Sequence, residues 1–356
     1  MFGTYKPEDV TILLKDISGL VEPLGTRERE RLIQAGRHYS EMLPLEYAPS
    51  EKYLQAYFDA LKRYSNLTAA AVVNVAEKIF RDKRGKVALV SLARAGTPIG
   101  ILIKHCLERK FSCAAAHYTI SIIRGVGIDE NAMKFILARH APEEIQFVDG
   151  WTGKGAIQRE LARAMKNFPL VSAGLAVLSD PAGVAEKCGT HEDFLIASSC
   201  LNATVSGLLS RTFLRADIIG AEDFHGAAFY SELADKDLTY QFINAVESCQ
   251  VSAFSCQENL KAESRKLKAD YDGLAEVKKI AEDFQIADVN LIKPGIGEAT
   301  RVLLRRMPWK ILVHSLNDEE HLGHLYQLAK EKGAPLEIYP LKNYKACGLI
   351  RRLADN

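Results

Sequence analysis

Apolar positions run in a helical rhythm from Tyr53 to Phe80 and then change to short β-rich runs: VALVSLA at 87–93, AAAHYTISI at 114–122, IQFVD at 145–149 and LVSAGLAVLS at 170–179. Helical spacing returns between them, over Thr97–Arg109 and Ala156–Lys166. Such alternation predicts an α/β fold, with a parallel sheet flanked by helices. Both of those helices open just after a glycine-containing loop at the carboxyl end of a strand, the edge where open α/β sheets bind ligands.

A charged segment at 258–284 predicts a helical boundary, and a second, smaller pattern follows it. That pattern reads as a helix at 274–284, a loop KPGIGEATR, a strand KILVHS at 310–315, a helix DEEHLGHLYQLAKEK, a strand LEIYP and a last short helix near Cys347. The expected division is a domain over 1–260 with an N-terminal helical extension, a helical linker over 261–273, and a small α/β/α domain over 274–356.

A length of 356 residues at 47% hydrophobic content accommodates two or three domains with buried cores. With 46 basic against 45 acidic residues the net charge is +1, so overall charge calls for no polyanionic partner and any such surface must be local. Neither a basic head with an apolar run nor a stretch of about 18 apolar residues occurs. The expectation is a cytoplasmic protein with no membrane partner. Seven cysteines, at 106, 113, 188, 200, 249, 256 and 347, form an odd set without CxxC pairs, which argues against a disulfide or zinc framework.

The densest chemistry lies in IQFVDGWTGKGA, residues 145–156, where a buried-type strand ends in Asp149 and the loop Thr152, Gly153, Lys154, Gly155, Ala156 opens a helix. Such a loop turns backbone N–H groups and the positive helix end toward a phosphate. Thr152 adds a hydroxyl donor, and GxxxxGK[ST] is absent, so this is not a Walker loop. A second strand-to-helix loop, VSLARAGTPIG at 90–100, carries Arg94, Gly96 and Pro98. Two such loops in one sheet suit a diphosphorylated sugar.

The first loop resembles the phosphoribosyl-pyrophosphate motif of type I phosphoribosyltransferases, and the second resembles their pyrophosphate loop. The resemblance implies that Asp149 binds the ribose hydroxyls, that Thr152, Gly153, Lys154, Gly155 and Ala156 hold the 5′-phosphate, and that Ala93, Arg94, Ala95 and Gly96 meet the pyrophosphate. Gly150 stands where that family commonly has a second acid. The implied ligand is phosphoribosyl pyrophosphate or a nucleotide, with Mg2+ carried by the substrate and Asp149 rather than by a side-chain metal cluster. The implied reaction is phosphoribosyl transfer through an oxocarbenium-like state. Arg124, in the glycine-flanked SIIRGVGID with Asp129, is expected to close over the pyrophosphate.

Over nearly its full length the chain also resembles the phosphoribosyltransferase-like proteins of bacterial tellurite-resistance and stress operons. The resemblance is carried by HYTISIIRGVGID, VDGWTGKGAIQREL, SSCLNATVSGLLSRT, GAEDFHGAAFY and IKPGIGEATRVLLRR. Members of that family are also labelled cysteine protease StiP. A protease needs a thiolate beside an imidazole, and the set chosen for it is Cys200 with His225 and Asp223 or Glu222. Cys200 lies near a predicted helix start, which suits a thiolate, but the small residues around it in SSCLNATVSG favour a structural cysteine. A non-catalytic sensor of phosphoribosyl ligands or RNA is a third reading. His314, His321 and His324 make no metal set with second ligands nearby.

From Lys293 to Lys310 five basic residues face one acid. This segment and the pattern around it resemble the Pelota and kink-turn RNA-binding superfamily, in which Gly295, Glu298 and Arg301 match the glycine loop and Gly297 replaces its asparagine. Tyr344–Gly348 falls where the superfamily's second loop lies. The resemblance implies a structured RNA partner met by Gly295, Glu298, Arg301, Arg305 and Arg306, the three arginines lying close together on one helix. A homodimer is the expected assembly.

Overall fold

The computed structural model describes residues 2–250 and 271–350. Most of the expected linker, and Cys256, fall outside the described residues. In chain order the strands are β1 (Thr11–Ile12), β2 (Lys15–Asp16), β3 (Val87–Leu92), β4 (Ala115–Ile120), β5 (Ile122–Ile123), β6 (Gly127–Ile128), β7 (Ile145–Val148), β8 (Leu175–Ser179), β9 (Lys187–Thr190), β10 (Gly226–Ala227), β11 (Ile292–Pro294), β12 (Pro308–Val313), β13 (Leu336–Ile338) and β14 (Ala346–Ile350). The helices are α1 (Thr26–Gln34), α2 (Glu51–Lys83), α3 (Gly96–Phe111), α4 (Glu130–Leu137), α5 (Ala156–Ala164), α6 (239–250), α7 (Gly273–Asp283), α8 (Ile296–Arg305) and α9 (Glu319–Lys332).

Six strands form one parallel sheet in the order β1-β4-β3-β7-β8-β9. Its central strand β3, VALVSL, is buried at all six positions, as a strand covered on both faces requires. The chain leaves β3 for β4 on one side and returns to β7 on the other. The loops that follow β3 and β7 therefore part company at the carboxyl edge, which makes a crevice at the topological switch point.

Helix α2 packs on this sheet through a run that is buried from Thr68 to Ala76. Small side chains let it press closely: a Cβ at Gly189 of β9 would stand 2.6 Å from the Ala71 Cβ. The N-terminal half of α2 carries the second unit. Ile296, Ala299, Val302 and Leu303 of α8 lie in one apolar cluster with Tyr57, Ala60 and Tyr64 of α2 and with Leu195 and Cys200. Tyr53 Oη donates to the Leu304 carbonyl, and Lys52 pairs with Glu331.

The second unit holds a four-stranded sheet in the order β11-β14-β12-β13. The helix expected near Cys347 is instead its strand β14, with Cys347 fully buried between β11 and β12. A short apolar run such as ACGLI carries no periodicity that separates helix from strand, and neighbouring strands decide. Likewise KPGIGEATR is not one loop: β11 ends at Pro294, Gly295 turns at φ +96°, and α8 begins at once. No helix among the described residues is long and apolar enough to cross a membrane.

Candidate functional site

A cavity of about 820 Å3 opens at the switch point. Ala93, Arg94 and Ala95 after β3 and Asp149 after β7 form its floor, and Lys293, Glu298, Arg301 and Arg306 of the second unit close one side. The two floor loops touch because α3 starts with glycine. A Cβ at Gly96 would lie 2.6 Å from the Val148 carbonyl, so a larger residue would push the loops apart. Arg94 donates to the Leu209 carbonyl at 3.0 Å and to Glu46 at 3.3 Å.

Asp149 accepts a hydrogen bond from the Gly150 amide at 2.8 Å. Burial raises its carboxyl to about 7, against the opposing pull of that amide and of Arg301, with Glu298 adding repulsion. A carboxyl so placed exchanges its proton near neutral pH.

Thr152, Gly153, Lys154, Gly155 and Ala156, expected to hold the 5′-phosphate, do not line this cavity. Thr152 Oγ1 donates to Asp180 at 2.5 Å, and Lys154 Nζ donates to the carbonyls of Val289 and Ile292. Tyr344 Oη donates to the Gly153 carbonyl at 2.5 Å, and a Cβ on Gly153 would face Pro294 and Glu298. The second unit thus occupies the mouth of the loop. Arg124 does not line the cavity either: it sits on the β5–β6 turn with its guanidinium over Tyr39 and near Asn290. Asp129 caps α4, accepting from the Ala132 amide.

Three of the residues matched to RNA recognition, Gly295, Glu298 and Arg301, face the first unit. The Ile296 amide, next to Gly295, donates to the buried Asp193, which also accepts from the Lys345 amide. Burial raises the Asp193 carboxyl to about 6, partly offset by those amides. Arg301 donates to the Ser199 carbonyl at 3.1 Å and to Glu298 at 3.0 Å, and its guanidinium stands 4.8 Å from the Trp151 ring. Glu298 and Arg306 line the cavity, and the Arg305 side chain lies outside the described residues. Gly295, Glu298 and Arg301 therefore help join the two units, while Arg306 is exposed.

The protease set chosen from sequence is not assembled. Cys200 is fully buried in a short 3-10 turn (Ala197–Cys200), not at a helix start, with Sγ 3.8 Å from the Ala56 carbonyl. The His225 ring turns to Ser121 at 2.9 Å, and Asp223 is paired with Lys15 at 2.6 Å. A different set is assembled at the sheet edge. Cys188 on β9 has Sγ 3.5 Å from His191 Nε2, and His191 Nδ1 lies 2.8 Å from the Asp180 carbonyl oxygen. A carbonyl only accepts, so Nδ1 carries the proton and the Nε2 lone pair faces the sulfur.

Asp180 directly follows β8 and is fully buried. Its carboxylate accepts from Thr152 Oγ1 and from the amides of Val184 and Ala185, and approaches His191 Nδ1 at 3.7 Å. The Tyr271 ring stacks on the imidazole at 4.3 Å, and Lys78 of α2 donates to the Cys188 carbonyl. The three ligand atoms lie within 4.8 Å of one another, which corrects the expectation of no metal-capable cluster, since an S, N, O set is one zinc accepts. The available sequence signal was the C-x-x-H of KCGTH with an acid eight residues earlier; a search for CxxC pairs passes over it. His314 and His321 instead pair with Asp318, and His324 contacts Thr300.

Residues 3–247 match the family model described as tellurite-like stress resistance cysteine protease StiP, and residues 271–352 match the PELOTA RNA binding domain. A curated relative, the cysteine protease StiP of Acinetobacter baylyi, is 38% identical over 367 residues, covering 99% of this chain and 94% of the relative. Among solved structures, a hypoxanthine-guanine phosphoribosyltransferase of Bacillus anthracis is 17% identical at a TM-score of 0.26, covering 35% of this chain and 75% of that one. The hypoxanthine phosphoribosyltransferase of Trypanosoma cruzi is likewise 17% identical at 0.26, over 35% and 77%.

Proposed function

Because the chain belongs to the StiP family of tellurite-like stress resistance cysteine proteases, we propose that it cleaves peptide bonds with Cys188 as nucleophile and His191 as base. The observation that carries this reading is the 3.5 Å approach of Cys188 Sγ to His191 Nε2, with the other ring nitrogen fixed on Asp180. Nε2 takes the thiol proton. The thiolate then attacks the peptide carbonyl carbon, and the imidazolium returns the proton to the leaving amine as the C–N bond breaks. Water, deprotonated by the same nitrogen, releases the acyl group and restores the thiol. The Asp180 carboxylate opposes the charge of the imidazolium. Tyr271 roofs the pair, so a peptide enters by displacing that ring.

Cleavage of a denatured protein substrate by the purified chain tests the reading. Cys188→Ala and His191→Ala should each lose at least about a thousandfold in rate, while Cys200→Ala keeps cleaving. Retained cleavage by Cys188→Ala would sink the assignment.

A second reading is favoured by the cavity at the switch point and by Asp149 on its floor: a phosphoribosyl ligand, phosphoribosyl pyrophosphate or a nucleotide, bound for transfer chemistry. Asp149 fits Mg2+ in kind, since this ion takes one or two carboxylates together with ligand phosphates. The ion would supply charge neutralisation of those phosphates, while Asp149 orients the ribose and Arg94 meets the anionic end. Ligand with Mg2+ should raise the unfolding temperature of the wild type, and Asp149→Asn should lose most of that rise. An equal rise in both proteins defeats the reading.

A further inference from the structure

Tyr271 stands two residues before α7, and its ring lies nearly flat on His191, with centroids 4.3 Å apart and planes 19° apart. A stacked pair alone is a weak contact, so what fixes this ring is its backbone. The Tyr271 carbonyl is pressed against the turn after β8, where a Cβ at Gly183, at φ +70°, would stand 2.5 Å from its oxygen. Only glycine fits there. The same turn holds the imidazole, since the Asp180 carbonyl accepts from the Gly183 amide and lies 2.8 Å from His191 Nδ1. Gly273 then opens α7 against this turn: a Cβ on it would lie 2.7 Å from the Pro181 carbonyl and 2.4 Å from Tyr344 Oη. Asp272 caps α7 through the Ala275 amide, and Val277 and Ile280 of that helix are buried with Tyr344, Leu312 and Cys347 in the core of the second unit. Tyr271 is thus built into the second unit, while the imidazole it covers belongs to the sheet. The unit is held down at the loop after β7, where Tyr344 donates to the Gly153 carbonyl and Lys154 to the carbonyls of Val289 and Ile292.

We propose that Tyr271 is an autoinhibitory latch: docking of the second unit presses its ring over the imidazole of the thiol site, and lifting that unit off the loop after β7 uncovers Cys188 and His191. The proposal rests on the cysteine-protease reading for the reaction that is gated, and deepens it by naming what keeps the site shut. With the ring in place Cys188 is only 7% exposed, too little for a peptide carbonyl to reach its sulfur. The coupling is reciprocal by linkage. Whatever fastens the second unit keeps the thiol covered, and a peptide seated beside His191 displaces Tyr271 and loosens the hold of α7 on the turn after β8.

The test is the rate at which iodoacetamide alkylates Cys188 in the full chain, followed by mass spectrometry, beside cleavage of a denatured protein. Tyr271→Ala should be alkylated at Cys188 at least about tenfold faster than wild type, and Tyr271→Phe, which keeps the ring, within about twofold of it. Lys154→Met combined with Tyr344→Phe loosens the docking without altering Tyr271 or the thiol site, and should speed alkylation of Cys188 at least about threefold. This double variant decides alone if Tyr271→Ala fails to fold. Cys200, buried beneath α2, should stay slow throughout. Both opened variants should also cleave faster than wild type, whereas loss of a merely structural contact would slow cleavage. Alkylation of Cys188 at the wild-type rate in the opened variants, or cleavage slowed in them, overturns the latch. Faster alkylation in a set of proteins none of which cleaves would leave the cover over His191 standing while removing the protease reading.

Discussion

Two aspartates end neighbouring strands of one sheet, Asp149 after β7 and Asp180 after β8, and they lead opposite lives. Asp180 is fully buried and accepts from a hydroxyl and two amides while steadying an imidazole. Asp149 has a single amide hydrogen bond and a cavity in front of it. An acid supplied with donors is part of the scaffold, whereas one left short of donors is held in a costly state that a ligand can relieve. One strand along the sheet edge separates the two outcomes, and the residues after each strand decide between them.

The largest effect should come from stripping the satisfied acid. Asp180→Ala leaves the Thr152 hydroxyl and the amides of Val184 and Ala185 without their acceptor, at roughly 3 to 5 kcal/mol in urea unfolding. Asp149→Ala, compared at pH 4 where that carboxyl is protonated, should cost under about 1 kcal/mol. Similar losses for the two variants would erase the contrast.

The pH dependence of Asp149 sharpens it. Its carboxyl is raised from 3.8 to about 7, so the folded state holds the proton more tightly than the unfolded chain, and this acid lowers stability as pH rises from about 4 to 7. Asp149→Asn removes that fall. It should be the more stable protein at pH 8, by up to about 4 kcal/mol before screening by cavity water, and near parity at pH 4. An offset that is the same at both pH values breaks the argument.

The smallest effect is expected at Gly150, where a second acid would stand in a phosphoribosyltransferase. A Cβ there meets nothing closer than Ile99 Cγ1 at 3.8 Å, so Gly150→Asp should change stability by less than about 1 kcal/mol. Placed beside Asp149, the new carboxylate should raise the Asp149 titration further, read by carboxyl NMR. A lowered titration would mean that the two side chains do not share the cavity.

Much of the parallel sheet was legible in the sequence because its central strands are continuous apolar runs closed by turn residues, as VALVSLARAG and IQFVDGW are. The floor of the cavity was legible for the same reason, since Ala93–Ala95 and Asp149 sit where strands end. The orientation of Thr152 and Lys154 was not. Their partners, Asp180 and the carbonyls of Val289 and Ile292, lie 28 to 138 residues away, and no local pattern reports them. The thiol site at Cys188 was not legible because a lone C-x-x-H carries no catalytic signature of its own, whereas the small residues around Cys200 reflect close packing beneath α2.

The apolar seam between α2 and α8 has a consequence during synthesis. Residues up to 250 leave the ribosome with Tyr57, Ala60, Tyr64 and Leu195 uncovered, since their cover, Ile296 to Leu303, emerges later. A nascent chain paused in that interval displays a sticky face of the kind chaperones grip. Truncation after the first unit should therefore yield an aggregating fragment instead of a small stable enzyme, and closure of the cavity waits on α8.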